Sequence, residues 1–116
     1  MSMSADRFSS LQTRALPGGA LLYIAGDRRA RARGLARLDR LADDHGLVLE
    51  PCRSVHTLGM RFALDLLWLD ASGQLIRLDA NVAPRRLRTC LRARAVIETN
   101  AGCSERFVNS LPYTTP

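Results

Sequence analysis

The feature that most constrains the fold is a long apolar run in the middle of the chain, followed at once by a turn and an alternating run. Residues 62–69 are apolar except for Asp65. Residues 70–73 read Asp-Ala-Ser-Gly, which is turn chemistry, and residues 74–79 alternate between polar and apolar side chains. The pattern predicts a β-hairpin in the middle of a mainly β fold.

Three shorter apolar runs predict further strands. They cover residues 21–25, 47–49 and 95–99, and each is bounded by residues that favour turns or breaks. Several short strands separated by turn signals are typical of an all-β domain.

Two segments favour helical structure. Apolar residues recur at steps of three and four between Arg28 and Asp43, which predicts a short helical segment over residues 28–43, interrupted at Gly34. Residues 85–92 are basic and are expected to form a helical turn. The side chains expected to face inward from that turn are Leu87, Cys90 and Leu91.

The chain length limits the number of domains. At 116 residues the chain is expected to form one domain. We expect a loose extension over residues 1–19, a β-rich domain over residues 20–102 and an irregular segment over residues 103–116. A chain of this size hides roughly 65% of its unfolded surface and needs no disulfide or metal to fold.

Hydropathy and cysteine usage predict a location. No apolar run approaches the roughly 18 residues that cross a bilayer, and residues 1–10 lack the apolar stretch of an export signal. Cys52, Cys90 and Cys103 are odd in number and lack CxxC spacing, so neither a disulfide framework nor a four-cysteine zinc site is supported. We therefore expect a cytoplasmic protein with free thiols.

The positive charge is carried by arginine alone. The chain has 17 basic residues and a net charge of +6, and it contains no lysine. The absence of lysine excludes Schiff-base and phosphate-loop lysine chemistry. Two arginine runs, at residues 28–33 and 85–88, make nucleic acid an alternative partner. That partner is disfavoured, because the aromatic residues are not interleaved with either run.

The densest cluster of reactive side chains lies at residues 51–61, with Asp65 just beyond. Cys52 and His56 could pair as thiolate and imidazolium, with Asp65 as the orienting group, which would make the protein an enzyme. The same residues could hold a metal, but two ligands are too few unless His45 or Asp65 converges on them.

Structural interpretations of these residues carry comparable weight. A free cysteine such as Cys52 is commonly a small packed residue. Asp65 needs a partner, because burial of an unpaired carboxylate costs several kcal/mol, and Arg61 is the natural candidate. Arg61 and Asp65 would then form a structural ion pair, or Asp65 would hold Arg61 toward an anionic ligand. The sequence leaves both readings open.

Several stretches of the chain form a recognisable series. They are Arg31-Ala-Arg-Gly34-Leu35, Gly46-Leu-Val-Leu-Glu-Pro51-Cys52, Val55-His56-Thr57-Leu-Gly-Met60-Arg61-Phe-Ala-Leu64-Asp65 and Leu69-Asp70-Ala-Ser-Gly73, with Pro84 and Ala101-Gly102 after them. The order of these residues resembles the prokaryotic family called domain of unknown function 192. The resemblance covers about residues 20–102, and its most specific part is the block around Met60, Arg61 and Asp65.

The resemblance implies a jelly-roll-like β-sandwich with an early helical segment, and no established activity. A partly open barrel is the alternative arrangement of the same strands. The chain departs from the family after Gly102, where Cys103-Ser104-Glu105 leads to a different C-terminal segment.

The sequence thus predicts a non-catalytic binding or accessory module for a polar or anionic small molecule, or for a protein segment. The predicted ligand-binding residues are Cys52, His56, Thr57, Met60, Arg61 and Asp65. Arg61 would supply charge, and His56 a titratable donor or acceptor. No catalytic residue, metal or cofactor is predicted, and an enzyme using Cys52 and His56 is the main alternative.

Overall fold

The computed structural model describes residue 8, residues 10–26, residue 31 and residues 34–114. In chain order, the strands and the short helix of the described residues are β1 (Gln12–Ala15), β2 (Leu21–Ala25), β3 (His45–Leu49), β4 (Ser54–His56), β5 (Leu64–Leu69), β6 (Leu75–Val82), β7 (Leu87–Thr89), β8 (Ala95–Asn100) and α1 (Glu105–Val108). Six strands form one open sheet in the order β1-β2-β3-β8-β5-β6, and β4 pairs with β7 in a small second sheet. The protein is mainly β and is not a closed barrel.

The central hairpin predicted from the sequence is confirmed. β5 and β6 pair antiparallel, and the amide of Gly73 donates to the carbonyl of Asp70 across the turn. The Asp70 carboxylate accepts hydrogen bonds from the amides of Ser72 and Gln74, as expected for a turn that begins with aspartate. The other predicted strands are confirmed as β2, β3 and β8.

The sheet buries both of its faces. Alternate residues of the central strands point to opposite sides, so that Leu47 and Leu66 lie on one face, called the front face, and Val48 and Leu67 lie on the other, called the back face. The small β4/β7 sheet and the segment before β3 cover the front face, and α1 with the C-terminal residues covers the back face. Any ligand site at the sheet must therefore open between these covering segments.

The helical segment predicted over residues 28–43 is not a helix in its described second half. Residues 34–43 form turns and irregular backbone, because Gly34 and Arg37 have φ values of +47° and +66°, which lie outside the α region. Leu35, Leu38 and Leu41 are buried in the front core all the same. The apolar periodicity reflects burial, and residues 28–30, 32 and 33 lie outside the described residues.

The helical turn predicted over residues 85–92 is wrong. The segment contains β7, whose backbone pairs with β4 from Thr89 opposite Ser54 to Leu87 opposite His56. Of the three side chains expected to face inward, only Cys90 is buried, whereas Leu87 and Leu91 are exposed. The backbone ladder with β4 decides this conformation, and no local pattern in residues 85–92 encodes it.

The segments on either side of the predicted domain also pack on it. β1 pairs with β2 at one sheet edge, and the Phe8 ring lies 5.0 Å from the ring of Tyr23. α1 interrupts a C-terminal segment that was expected to be irregular, and it places Phe107, which is fully buried, against the back face. No helix in the described part of the chain has the length and apolarity to cross a bilayer.

Candidate functional site

A cleft of about 400 Å³ opens on the front face beside β4. Its lining includes residues 51–56, Met60, Arg31 and residues 34–36. Leu49 of β3 and Glu98 of β8 contribute from the sheet. The volume lies within the roughly 300–1,000 Å³ of typical small-molecule sites.

Glu98 is the buried acid of this cleft. It stands on the central strand β8 between Leu47 of β3 and Leu66 of β5, which are both buried. The side chain is 3% exposed, and its Oε1 has no hydrogen-bond partner among the described residues. Burial raises the pKa of Glu98 to about 7. Near neutral pH this carboxyl can therefore either donate or accept a hydrogen bond.

The backbone approaches Glu98 closely at Gly34. A Cβ atom at Gly34 would lie 3.3 Å from Oε1 of Glu98, and the φ of Gly34 is +47°. Both the short distance and the left-handed backbone favour glycine at this position. The glycine keeps the wall of the cleft close to the buried carboxyl.

Two arginines bring positive charge to the cleft. Nη1 of Arg31 donates to the carbonyls of Gly26 (2.9 Å) and Glu50 (3.4 Å), and Nε of Arg53 donates to the carbonyl of Ala93 (3.2 Å). These bonds fix the two side chains, and a guanidinium has five N–H donors in all. The anchored guanidinium groups can therefore still offer donors to an anionic group.

Cys52 and His56, which the sequence predicts as ligand-binding residues, both line the cleft. The Cys52 thiol donates a hydrogen bond to the carbonyl of Ser54 at 3.3 Å. Burial raises the pKa of the Cys52 thiol, the charge of Glu98 adds to that effect, and the Ser54 carbonyl bond and Arg31 oppose it. The site thus favours a protonated thiol, which is the form that does not attack as a nucleophile.

Of the two further predicted residues Thr57 and Met60, only Met60 is part of the cleft lining. Oγ1 of Thr57 donates to the carbonyl of Ala83 and accepts from the amide of Arg86, both at 2.8 Å. Buried Thr57 therefore links the backbone just after β4 to the segment between β6 and β7. Met60 packs in the front core and lines the cleft.

The expected contact between Arg61 and Asp65 is absent, and this prediction was wrong. Arg61 is exposed and pairs with Asp39. Asp65 is buried and accepts hydrogen bonds from the amides of Asn81 (2.8 Å) and Gly102 (3.0 Å). Asp65 has its partners in the backbone, so it does not need Arg61.

Asp65 is also remote from the cleft in the architecture. It alternates with Leu64 and Leu66, which face the front core, so its side chain points to the back face. Asn81 and Gly102 both have positive φ, at +54° and +84°. The Asp65 carboxylate therefore holds the backbone at two positions of left-handed conformation, Asn81 in β6 and Gly102 after β8, and it is not part of the cleft lining.

A metal centre has little support in the described residues. No group of three or more histidine, cysteine, aspartate or glutamate side chains is placed to share an ion there. His45, considered as a converging ligand, lies at the start of β3, with its Nδ1 3.4 Å from the hydroxyl of Tyr23. It therefore does not converge on Cys52 and His56.

Sequence reasoning missed Glu98 and Arg53 as site residues. The signal for Glu98 was present, because an acid in the predicted strand over residues 95–99 raises the same question of burial as Asp65. Arg53 lay inside the predicted cluster but carried no distinguishing pattern. Arg31 was one of several arginines in a run, and only the fold selects it.

A family model identifies the chain. The DUF192 model, described as Uncharacterized ACR, matches residues 17–108. The chain belongs to this family. The match covers the cleft residues from Arg31 to Glu98 as well as β2 to β8. No curated protein matches the chain.

Two solved structures share the fold of this DUF192 chain. One is a protein from Sinorhizobium meliloti 1021 described as a "putative transcription regulator", with a TM-score of 0.72 and 20% identity over 84% of this chain and 87% of the other. The second is a protein of unknown function from Novosphingobium aromaticivorans DSM 12444, with a TM-score of 0.67 and 17% identity over 91% of both chains. At these identities the likeness concerns the fold alone.

Proposed function

We propose that this chain is a non-catalytic binding module whose front-face cleft holds a small polar or anionic molecule. The observation that carries the proposal is the open cleft itself, where anchored Arg31 and Arg53 lie in the same lining as a buried carboxyl without a described partner on Oε1. An apolar cavity with a few convergent polar groups is the usual form of a small-molecule site.

The proposal is tested by adding butanoate, an anionic probe, and by measuring amide chemical shifts in two-dimensional NMR spectra. We expect saturable shifts at Gly34, Ser54 and His56, which line the cleft. Ser54→Phe should abolish the shifts by filling the opening. The matched control is Thr89→Phe, because Thr89 lies opposite Ser54 and shares its 3.1 Å hydroxyl contact, yet it is not part of the lining. Equal loss in both variants, or shifts spread over the whole surface, would contradict the proposal.

The enzymatic alternative places a thiolate at Cys52. The raised pKa of Cys52 argues against it, so a thiol reagent at mildly acidic pH should label Cys52 no faster than a free cysteine in solution. Mass spectrometry of peptides after timed labelling measures this rate, with half-buried Cys103 as the internal comparison. Preferential, rapid labelling of Cys52 would favour the enzyme.

Nucleic-acid binding is the third candidate. The similar structure from Sinorhizobium meliloti 1021 is described as a "putative transcription regulator". In this chain Arg85 and Arg86 are exposed. However, α1, the helix within the part of the chain that the structure describes, has four residues, which is shorter than a helix that reads the major groove. We expect only weak retention on DNA. Tight retention that falls steeply with salt would favour this alternative.

Two finer expectations belong with the proposed function. We propose a jelly-roll-like relationship among the strands, supported by the small sheet that covers the front face of the large one. We also propose a cytoplasmic location, supported by three cysteines that are all free. Fractionation of cells that express the tagged chain tests the second point.

A further inference from the structure

We propose that the molecule held in this cleft is a small amino acid, whose ammonium group donates a hydrogen bond to Glu98 while its carboxylate meets the guanidinium of Arg53. The inference rests on the proposed function and names the ligand class for the same cleft. It assigns Glu98 as a ligand-binding residue, and it requires a ligand with a positively charged group at one end and a negatively charged group at the other.

The first argument compares the two buried carboxylates of the sheet. Both oxygens of Asp65 accept backbone amides, from Asn81 and Gly102, so that carboxylate completes the fold. Glu98 is equally buried, at 3% exposure, but its Oε1 has no described partner and the side chain lines an open cleft. Buried polar atoms in folded proteins are nearly always hydrogen-bonded. The partner of Glu98 is therefore sought in the cleft.

The second argument is that Glu98 does not improve the packing where it stands. Its neighbours on the two adjacent strands are Leu47 and Leu66, both buried, and Val96 precedes it on the same face. An apolar residue would suit these neighbours better, since an unpaired buried carboxylate is destabilising. A residue that violates the local rule of burial in this way is typical of a functional site.

The third argument concerns the sign of charge that the cleft accepts. A purely anionic molecule would find Arg31 and Arg53 favourable, but it would also lie beside a carboxyl group. A molecule with an ammonium at one end satisfies Glu98 by a charge-assisted bond and leaves its carboxylate for a guanidinium. Glu98, Arg31 and Arg53 all belong to the lining of the cleft, so a carboxyl group and guanidinium groups border the same space.

The pKa of Glu98, raised to about 7 by burial, is consistent with this role. A small input of favourable charge is then sufficient to ionise the carboxyl, because the neutral and charged forms are close in free energy near neutral pH. An ammonium group provides that charge at the moment of binding.

The test uses three series of straight-chain probes, in which probes of the same length differ only in their end groups. The probes are the ω-amino acids from glycine to 6-aminohexanoate, with the straight-chain carboxylates and straight-chain amines of the same lengths. The series scans the separation of the two ends. Binding to the full chain is followed by amide shifts in NMR at a fixed pH near 8.

We expect one ω-amino acid to bind about tenfold or more tightly than its matched carboxylate and its matched amine, as a charge-assisted hydrogen bond implies. In Glu98→Gln that advantage over the carboxylate should disappear while binding of the carboxylate persists. In Arg53→Gln the advantage over the amine should disappear. Arg92→Gln, an exposed arginine outside the lining, should bind as the unchanged protein does.

The outcomes separate this inference from the proposed function. If carboxylates bind and no ω-amino acid exceeds them, the two-ended ligand is wrong and the anion-binding cleft stands. If Glu98→Gln retains the full advantage of the amino acid, Glu98 is not the binding group. If no probe shifts the cleft amides, the inference and the proposed function both fail. Unchanged amide spectra of the free variants show that they are folded.

Discussion

At the residue scale, the contrast between Asp65 and Glu98 separates structure from function. Both acids lie in strands whose other residues are largely apolar, and both are almost fully buried. Asp65 accepts the amides of Asn81 and Gly102, whereas Glu98 lines the front-face cleft and its Oε1 has no partner among the described residues. The difference lies in what surrounds each carboxylate, and it determines what each substitution should do.

Substitution of Asp65 is expected to damage the fold without touching the cleft. Asp65→Ala removes a carboxylate that is 3% exposed and that accepts the amides of Asn81 and Gly102, and we expect a loss of about 3 kcal/mol in the free energy of unfolding. The matched control is Asp70→Ala, since Asp70 also accepts two amides but at an exposed turn, and it should lose only about 1 kcal/mol. Urea unfolding measures both, and equal losses would contradict the account.

The stability of the protein should depend on pH through Glu98. The folded pKa is raised from 4.5 to about 7, so the folded state binds more protons between these values and stability falls as pH rises. A shift of one pKa unit corresponds to about 1.4 kcal/mol. Relative to Glu98→Gln, the unfolding free energy of the protein should therefore be about 3 kcal/mol lower at about pH 8 than at about pH 4.

Urea unfolding of both proteins across this range measures the difference, in which the contributions of the other titrating groups cancel. Parallel stability curves for the protein and Glu98→Gln would show that the folded environment does not raise the pKa of Glu98.

At the element scale, the strands were predictable and the covering segments were not. Apolar runs and turn residues locate β2, β3, β8 and the β5/β6 hairpin, because each signal is local in the sequence. β7 forms because β4 supplies a ladder, and residues 34–43 turn because Gly34 and Arg37 leave the α region. Both conformations depend on tertiary contacts, which the hydrophobic periodicity of the sequence does not report.

The candidate site was predicted in part for the same reason. Cys52, His56 and Met60 were placed at the cleft by their position in one cluster. Asp65 was wrongly added because strand alternation, not proximity in sequence, decides which face a side chain occupies. Glu98 is distant in sequence and joins the site only through the pairing of β8 with β3.

The contact between the hairpin turn and the C-terminal segment gives a prediction for Gly73. A Cβ atom there would lie 1.6 Å from the Tyr113 carbonyl oxygen, and the φ of Gly73 is +79°. Gly73→Ala should release Tyr113 and increase hydrogen exchange at its amide, which now donates to the Gly73 carbonyl at 2.9 Å. Gly18→Ala is the control, because Gly18 has a φ of +85° with nothing within 4 Å.

Gly18→Ala should carry only the backbone strain, about 1 kcal/mol. If the two alanine variants lose equal stability and Tyr113 stays protected in both, the C-terminal segment does not pack as tightly against the turn as the structure indicates.

At the scale of the whole molecule, segments outside the large sheet cover both of its faces, and the larger cleft lies on the front face. Phe107 and Tyr113 pack on the back face, to which the side chain of Asp65 points. The front face is covered by the small β4/β7 sheet and residues 34–41, and the cleft opens between them above Glu98. Among the described residues, one buried carboxyl oxygen has no hydrogen-bond partner, and it belongs to Glu98 on the face that carries this cleft.

The central claim is that Glu98 is retained for binding at a cost to folding. The most direct test is the unfolding free energy of Glu98→Leu compared with that of the unchanged protein near pH 8. The account predicts that the variant is more stable, on the order of 2 kcal/mol, because leucine joins Leu47 and Leu66 and removes a buried charge. A variant less stable than the unchanged protein would show that Glu98 supports the fold, and would contradict the account.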